Sequence, residues 1–192
     1  MRIIDISQEL LGSNIYPGDP TPQMTQIADM AKGDLYNLTA LSICNHNGTH
    51  VDAPKHFFED GISVDQIPLD TFVGECFVVR YTGDVLAKDS EEILSRAGKV
   101  ERLLIAGDVT VTEEAATIFR DAGIKLIGNE SQTVGPKDAP MAVHKILLGA
   151  GIVLLEGIVL DGVEEGQYWL SAAPICIQGA EGATVRAYLV EK

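Results

Sequence analysis

The 192-residue sequence predicts a mixed α/β fold built as one domain, residues 1–192. Three observations carry this prediction. Short β-like runs stand toward both ends of the chain, short helical segments alternate with β-like pieces between them, and no linker, internal repeat or low-complexity tract interrupts the sequence. A hydrophobic content of 46% against 22% charged residues is enough apolar material for one core of ordinary size.

The elements are read in chain order. Tyr16-Pro17-Gly18-Asp19-Pro20, followed by Pro22, fixes φ repeatedly and removes backbone donors, which predicts an ordered loop. Residues 38–44 are rich in Leu and Ile and stand too close to Gly48 and Pro54 for a helix, so a strand ending near Asn45 is expected. Residues 76–81 read as a strand, 90–97 as a short helix capped by Ser90 and closed by Gly98, and 102–106 as another strand. Over 112–122 the apolar residues Ala115, Ala116, Ile118, Phe119 and Ala122 have helical spacing. Glu113 and Glu114 stand at the positive N-terminal end of that helix, and Gly123 stops it. A β-like piece at 125–128, a short helix at 142–148 and a strand at 152–155 come next. Strands over 169–177 and 184–190 end the chain.

A formal net charge of −14 gives the molecule a field that repels phosphate backbones and anionic lipid surfaces, so neither nucleic acid nor membrane is an expected partner. The three cysteines, Cys44, Cys76 and Cys176, form no Cys-x-x-Cys pair and sit among apolar neighbours, which predicts buried reduced thiols. Nowhere do eighteen apolar residues run together, and the N-terminus lacks a secretory h-region; a cytoplasmic protein is expected.

Chemistry concentrates in one place. Of four histidines, His46, His50 and His56 fall in a window of eleven residues that also holds Asp52. Imidazole nitrogen and carboxylate oxygen together suit a divalent ion, zinc or manganese among them. In an extended run His50, Asp52, Pro54 and His56 would share one side, with Pro54 disfavouring helix at Ala53 and Gly48 permitting the bend that returns His46 beside His50. For a single histidine a hydrogen-bonded or surface role is the simpler reading; for the set, ligand type, count and spacing favour a metal. The fourth histidine, His144, precedes an apolar strand that ends on Glu156, an acid whose burial without a partner would be costly.

The run His46-Asn47-Gly48-Thr49-His50-Val51-Asp52-Ala53-Pro54-Lys55-His56 resembles, at every fixed position, the His-x-Gly-Thr-His-x-Asp-x-Pro-x-His signature of the cyclase family of metal-dependent hydrolases, which includes the bacterial kynurenine formamidases. Tyr16-Pro17-Gly18-Asp19 is similar to the family's Pro-Gly-Asp loop, and His144 with Leu154-Leu155-Glu156-Gly157 to its downstream His and Glu-Gly element. The resemblance implies a swivelling β/β/α domain and a homo-oligomer, dimer or tetramer. It implies a site of two zinc ions, manganese in some branches. His46, His50 and Asp52 would hold the first ion, Asp52 would also reach the second, His144 would bind the second, and Glu156 would bridge both. His56 would stay off the metal as proton donor and acceptor. The implied reaction is attack of a metal-activated hydroxide on a small amide, with N-formylkynurenine as the first expected substrate. A cyclic amide or lactone of isatin or dienelactone type, and a catalytically inactive metal-binding homologue, are the alternatives. Tyr16 and Phe57 are the expected substrate contacts. The chain departs from the common family pattern at Ala106-Gly107-Asp108 and over Gly128-Asn129-Glu130-Ser131-Gln132-Thr133, where many members carry a Lys/Arg-Thr pair and an Asp-Ser-Pro-Ser element.

Overall fold

The computed structural model describes residues 1–191. Its strands are β1 (Arg2–Asp5), β2 (Gln23–Ala28), β3 (Leu38–Ser42), β4 (His50–Asp52), β5 (Val73–Arg80), β6 (Gly83–Val85), β7 (Arg102–Ala106), β8 (Val109–Val111), β9 (Leu126–Asn129), β10 (Val153–Glu156), β11 (Gly166–Ser171), β12 (Gly182–Thr184) and β13 (Tyr188–Glu191). Its helices are α1 (Leu69–Phe72), α2 (Ala87–Ala97), α3 (Glu113–Asp121) and α4 (Met141–Gly149). None is long and apolar enough to cross a membrane.

Nine strands make one sheet in the order β1-β13-β11-β5-β7-β9-β10-β4-β12. Its centre, β5, β7, β9 and β10, is parallel, and α2, α3 and α4 supply the return connections that parallel pairing needs. Strands β12 and β13 pair at opposite ends of the sheet, yet only residues 185–187 separate them. The sheet must therefore curl until its ends meet. Val185 N–H donates to the Thr49 carbonyl beside β4 at 3.0 Å, and Ile6 N–H beside β1 donates to the Ala187 carbonyl at 3.1 Å.

Side-chain alternation on the central strands divides the core into two layers. Cys76, Val78 and Leu104 point into the curl, where they meet Val51, Ala183 and Leu189. Phe77, Val79, Leu103 and Ile105 point outward to the helices and meet Ile93, Ala115, Phe119 and Leu147. Because both faces are covered, β7 is buried along its whole length. This is the mixed α/β fold that the sequence predicts, with the β/β/α layering that the family resemblance implies.

Several local expectations are corrected. The helix read as starting at Ser90 begins at Ala87: Asp89 caps the Leu86 N–H at 3.1 Å, and the Ser90 hydroxyl, inside the first turn, donates to the Ala87 carbonyl at 2.7 Å. The strand expected over 169–177 stops at Ser171, because the Ala172 N–H turns to the Phe72 carbonyl and Pro174 has no N–H for a ladder. The run 184–190 is divided between β12 and β13, since it must carry the chain across the seam of the curl. Residues 38–44 are a strand as far as Ser42, but β3 is fully exposed and pairs only with β2, a strand absent from the sequence reading. Of the cysteines only Cys76 is buried; Cys176 is exposed, and all three are free.

Candidate metal centre

The histidine run enters as β4, and its backbone follows from its sequence. Gly48 adopts φ of 64° and turns the chain into the strand, a conformation that L side chains resist. Val51 points into the core, so His50 and Asp52 point together to the other side. Extension ends at Ala53, and Pro54 opens a single 3-10 turn, Pro54–His56. His56 thus reaches the site through a turn, and not by strand alternation over four residues as the sequence suggested. Pro54 fits the first turn because its missing N–H would have no partner there.

Register brings the distant acid. β10 runs antiparallel to β4 with Glu156 opposite His50, at the carboxyl end of the parallel strands. His144 comes from α4, whose neighbours Val143, Leu147 and Leu148 anchor the helix on the outer core layer. The result is a buried cluster: Asp52 and Glu156 are 1% and 2% exposed, His50 and His144 1% and 3%. Glu156 lies 3.2 Å from His144 Nε2 and 3.5 Å from His50 Nε2; Asp52 lies 2.9 Å from His46 Nδ1 and 3.5 Å from both His50 and His144 Nε2.

Two carboxylates buried this deeply need positive charge beside them. Among the described residues no Lys or Arg pairs with either one; their ion-pair partners are imidazoles. Burial would push the His46 imidazole down, but hydrogen bonding to Asp52 and the charges of Asp52, Glu181 and Glu156 outweigh it and raise it to about 9. His144 is likewise held up at about 10 by Asp52 and Glu156 against its own burial.

The donor set fits a divalent cation. His46, His50 and Asp52 form one triplet of ligand atoms lying within 4.8 Å of one another, and Asp52, His144 and Glu156 form another, with Asp52 common to both. His50 Nδ1 faces the Gly48 carbonyl and His144 Nδ1 the Pro140 carbonyl, each at 2.9 Å. A carbonyl only accepts, so Nδ1 carries a proton in both rings and Nε2 faces the cluster, where a bound cation would replace any proton it holds, the arrangement typical of metal-binding histidines. Asp52 Oδ2 and His46 Nε2 are buried without a hydrogen bond. His46 Nε2 does lie 3.3 Å from Glu181 Oε1, but without hydrogen-bond geometry, so it stays available. Sites of this kind suit a divalent metal.

His56 belongs to neither triplet. Its ring lies over His46 with centroids 4.3 Å apart and meets Phe57 edge-on at 4.6 Å. His56, Phe57 and Tyr16 line a cavity of about 390 Å³ together with His46, His50, Asp52, His144 and Glu156. Tyr16 Oη donates to the Lys137 carbonyl at 3.0 Å and so ties the Pro-Gly-Asp loop to the segment before α4.

With this geometry in view, comparison with known proteins is decisive on ancestry. Residues 4–136 match the model of the Cyclase family, described as "Putative cyclase". The chain belongs to the cyclase family. This cyclase-family chain is 36% identical to a kynurenine formamidase from Salinibacter ruber, over 98% of this chain and 97% of the relative. A kynurenine formamidase from Erythrobacter litoralis is 33% identical over 99% and 94%. Among solved structures, a "predicted metal-dependent hydrolase" from Bacillus stearothermophilus is 25% identical and superposes with a TM-score of 0.81 over 98% and 97% of the two chains. Isatin hydrolase A from Labrenzia aggregata, at 22% identity over 98% of this chain and 93% of its own, has a TM-score of 0.85 and so shares the fold.

In this cyclase-family chain further residues support the cluster without belonging to either triplet. Thr49 Oγ1 donates to the Gly157 carbonyl at 2.6 Å and accepts from Gln8 N–H at 2.9 Å, tying β4 to the end of β10. Glu156 Oε1 accepts the Val134 N–H at 2.8 Å. Glycine is required at 182, where a Cβ would meet the Val51 carbonyl at 2.7 Å and His46 Cε1 at 2.9 Å. Gly157 was marked in the sequence by the Glu-Gly element, whereas the hint for Gly182 was only its being glycine; nothing marked Glu181, which is brought to His46 by β12 pairing with β4.

Proposed function

We propose that this chain is a metal-dependent hydrolase that cleaves the C–N bond of a small aryl formamide, N-formylkynurenine first among candidates, to an arylamine and formate. The observation that carries the reading is the pair of buried ligand triplets sharing Asp52, with only imidazoles to balance two carboxylates. His46, His50 and Asp52 would hold one ion and Asp52, His144 and Glu156 a second; zinc fits this nitrogen and oxygen set, and manganese also does. When bound, such ions supply charge to polarise an amide carbonyl and to ease ionisation of water near neutral pH.

The chain's own residues do the rest. His50 and His144 hold their tautomers through the Gly48 and Pro140 carbonyls and so keep the cluster preorganised. His56, outside both triplets but on the cavity wall, is free to move protons. Burial lowers its pKa and so favours the neutral imidazole. A neutral His56 takes a proton as water oxygen bonds to the formyl carbon and returns it to the nitrogen as the C–N bond breaks, which gives formate and the free amine. Phe57 and Tyr16 border the space where an aryl ring would lie. Purified, metal-replete protein assayed with N-formylkynurenine, a lactone and isatin tests the reading. Formamide turnover supports it, and exclusive ring opening replaces it with cyclic amide or lactone hydrolysis.

Two further readings go with this function. Three unpaired thiols suit a reducing cytoplasm. The β2–β3 hairpin suits an interface with a second copy. It stands apart from the main sheet, and Met24, Ile27, Met30, Leu35, Tyr36, Leu38 and Leu41 on it or at its tip are exposed. At roughly 100 Å² each they present on the order of 700 Å², close to the ~800 Å² that one partner of a standard interface buries.

A further inference from the structure

One acid on the wall of the metal cavity is left over from both ligand triplets. Asp19, of the Pro-Gly-Asp loop, lines that cavity and is partly buried. Among the described residues no hydrogen bond or ion pair reaches its carboxylate. Asp138 also lines the cavity, but it is exposed to water. The backbone on each side of Asp19 is nonetheless fixed. Its own N–H donates to the Tyr16 carbonyl at 3.0 Å across a turn centred on Pro17 and Gly18, where Gly18 has φ of 103°. The Pro20 carbonyl accepts from Asn47 Nδ2 at 3.0 Å, and Asn47 Oδ1 accepts the Cys44 N–H at 2.8 Å. Asn47 is fully buried, stands between His46 and Gly48, and fills a position that the histidine signature leaves open. At the start of the loop the Asn14 N–H donates to Gln8 Oε1 at 2.8 Å, while Gln8 Nε2 donates to the Gly157 carbonyl at 2.8 Å. The metal motif and the end of β10 thus clamp the loop that carries Asp19. A carboxylate held this firmly without a partner is preorganised for a donor that arrives with the substrate.

We propose that Asp19 is a specificity-determining residue that accepts a hydrogen bond from the N–H of the scissile amide, and that Asn47 is the positioning residue that holds it there. This rests on the amide-hydrolase reading and deepens it: the site distinguishes an amide from an ester or lactone of the same shape. An ionised carboxylate offers only lone pairs, so an amide N–H completes it, whereas an ester oxygen at the same place turns lone pairs toward it. No proton moves to Asp19. The nitrogen keeps its N–H through C–N cleavage, and His56 supplies the second proton of the amine.

The experiment measures kcat/KM for formanilide and for phenyl formate, which differ only in N–H against oxygen, in zinc-loaded wild type, Asp19→Ala, Asn47→Leu and the double variant, with zinc content per chain measured alongside. Asp19→Ala should lose about tenfold on formanilide, as for removal of one charged hydrogen bond, and nothing on phenyl formate, with zinc content unchanged. Asn47→Leu should lower the amide-to-ester ratio in the same direction. In the double variant the ratio should fall no further than in Asp19→Ala alone, because both substitutions act through one contact. Should Asn47→Leu fail to fold, Asn47→Ser, which retains a short polar side chain, takes its place. Equal losses on both substrates in Asp19→Ala, or no loss on formanilide, overturn the proposal, and an additive loss in the double variant overturns the role of Asn47. A wild type that turns over neither substrate, or the ester alone, overturns the amide-hydrolase reading and this contact with it, whereas unselective losses overturn the contact alone.

Discussion

At the scale of single residues the account assigns different work to groups a few ångströms apart. His56→Ala removes the proton carrier but no member of either triplet, so turnover should fall by about 10² to 10⁴ while metal content by elemental analysis is unchanged. The imidazoles also make a pH prediction for metal-free protein. Folding holds His46 at about 9 and His144 at about 10, above the usual 6.5, so the folded chain keeps protons that the unfolded chain releases. That stabilisation is complete below about pH 6.5 and is lost as pH rises through 9 to 10. The thermal midpoint of the metal-free protein should therefore fall across this range, and a flat profile would contradict the buried carboxylate–imidazole cluster. Loading with zinc at pH 7 should expel those protons, a release measurable in weak buffer.

The chemistry of these residues was legible in the sequence to the extent that it was local. His46, His50 and Asp52 announce themselves because they are close in the chain and belong to one ligand class. Asp52 as the member common to both triplets came only through the family resemblance, and Glu181 beside His46 depends on strand register and is invisible without it.

At the scale of elements, the site depends on β4 lying against β10 and on the loop after β10 being able to turn closely beneath it. Gly157 has φ of 67°, and a Cβ there would come within 2.6 Å of the Gly48 carbonyl and 2.3 Å of Gln132 Nε2. Gly157→Ala should therefore destabilise the fold by about 1–3 kcal/mol and weaken metal binding, as denaturant unfolding and metal titration would show. The elements that the sequence indicated well, β7 and α3, are continuous apolar or strongly amphipathic segments with evident caps. Those it indicated poorly are set by distant partners. Nothing in residues 184–190 tells that the chain must cross the seam of a closing sheet there, and nothing in β3 tells that its apolar residues stay outside the chain's own core.

At the scale of the whole molecule, the curl of the sheet puts an inner core on one side of the central strands and the helices on the other, and the metal centre at the carboxyl end of the parallel strands. The same architecture leaves the hairpin unsupported, and a lone two-stranded ribbon is marginal in water. The double substitution Met24→Ser with Leu41→Ser, residues directly opposite each other, should convert an oligomer to monomer in sedimentation, with the zinc content per chain preserved. An unchanged sedimentation coefficient would remove the hairpin from the interface.

The claim on which the mechanism stands is that imidazoles and carboxylates from three separate segments bind divalent cations, and elemental analysis of the zinc-loaded, desalted protein tests it directly. Wild type should retain two ions per chain, one for each triplet, and Asp52→Ala, which cuts both triplets, should retain none. Wild-type protein that holds no ion after loading, or an Asp52→Ala variant that holds as many as wild type, would contradict the account.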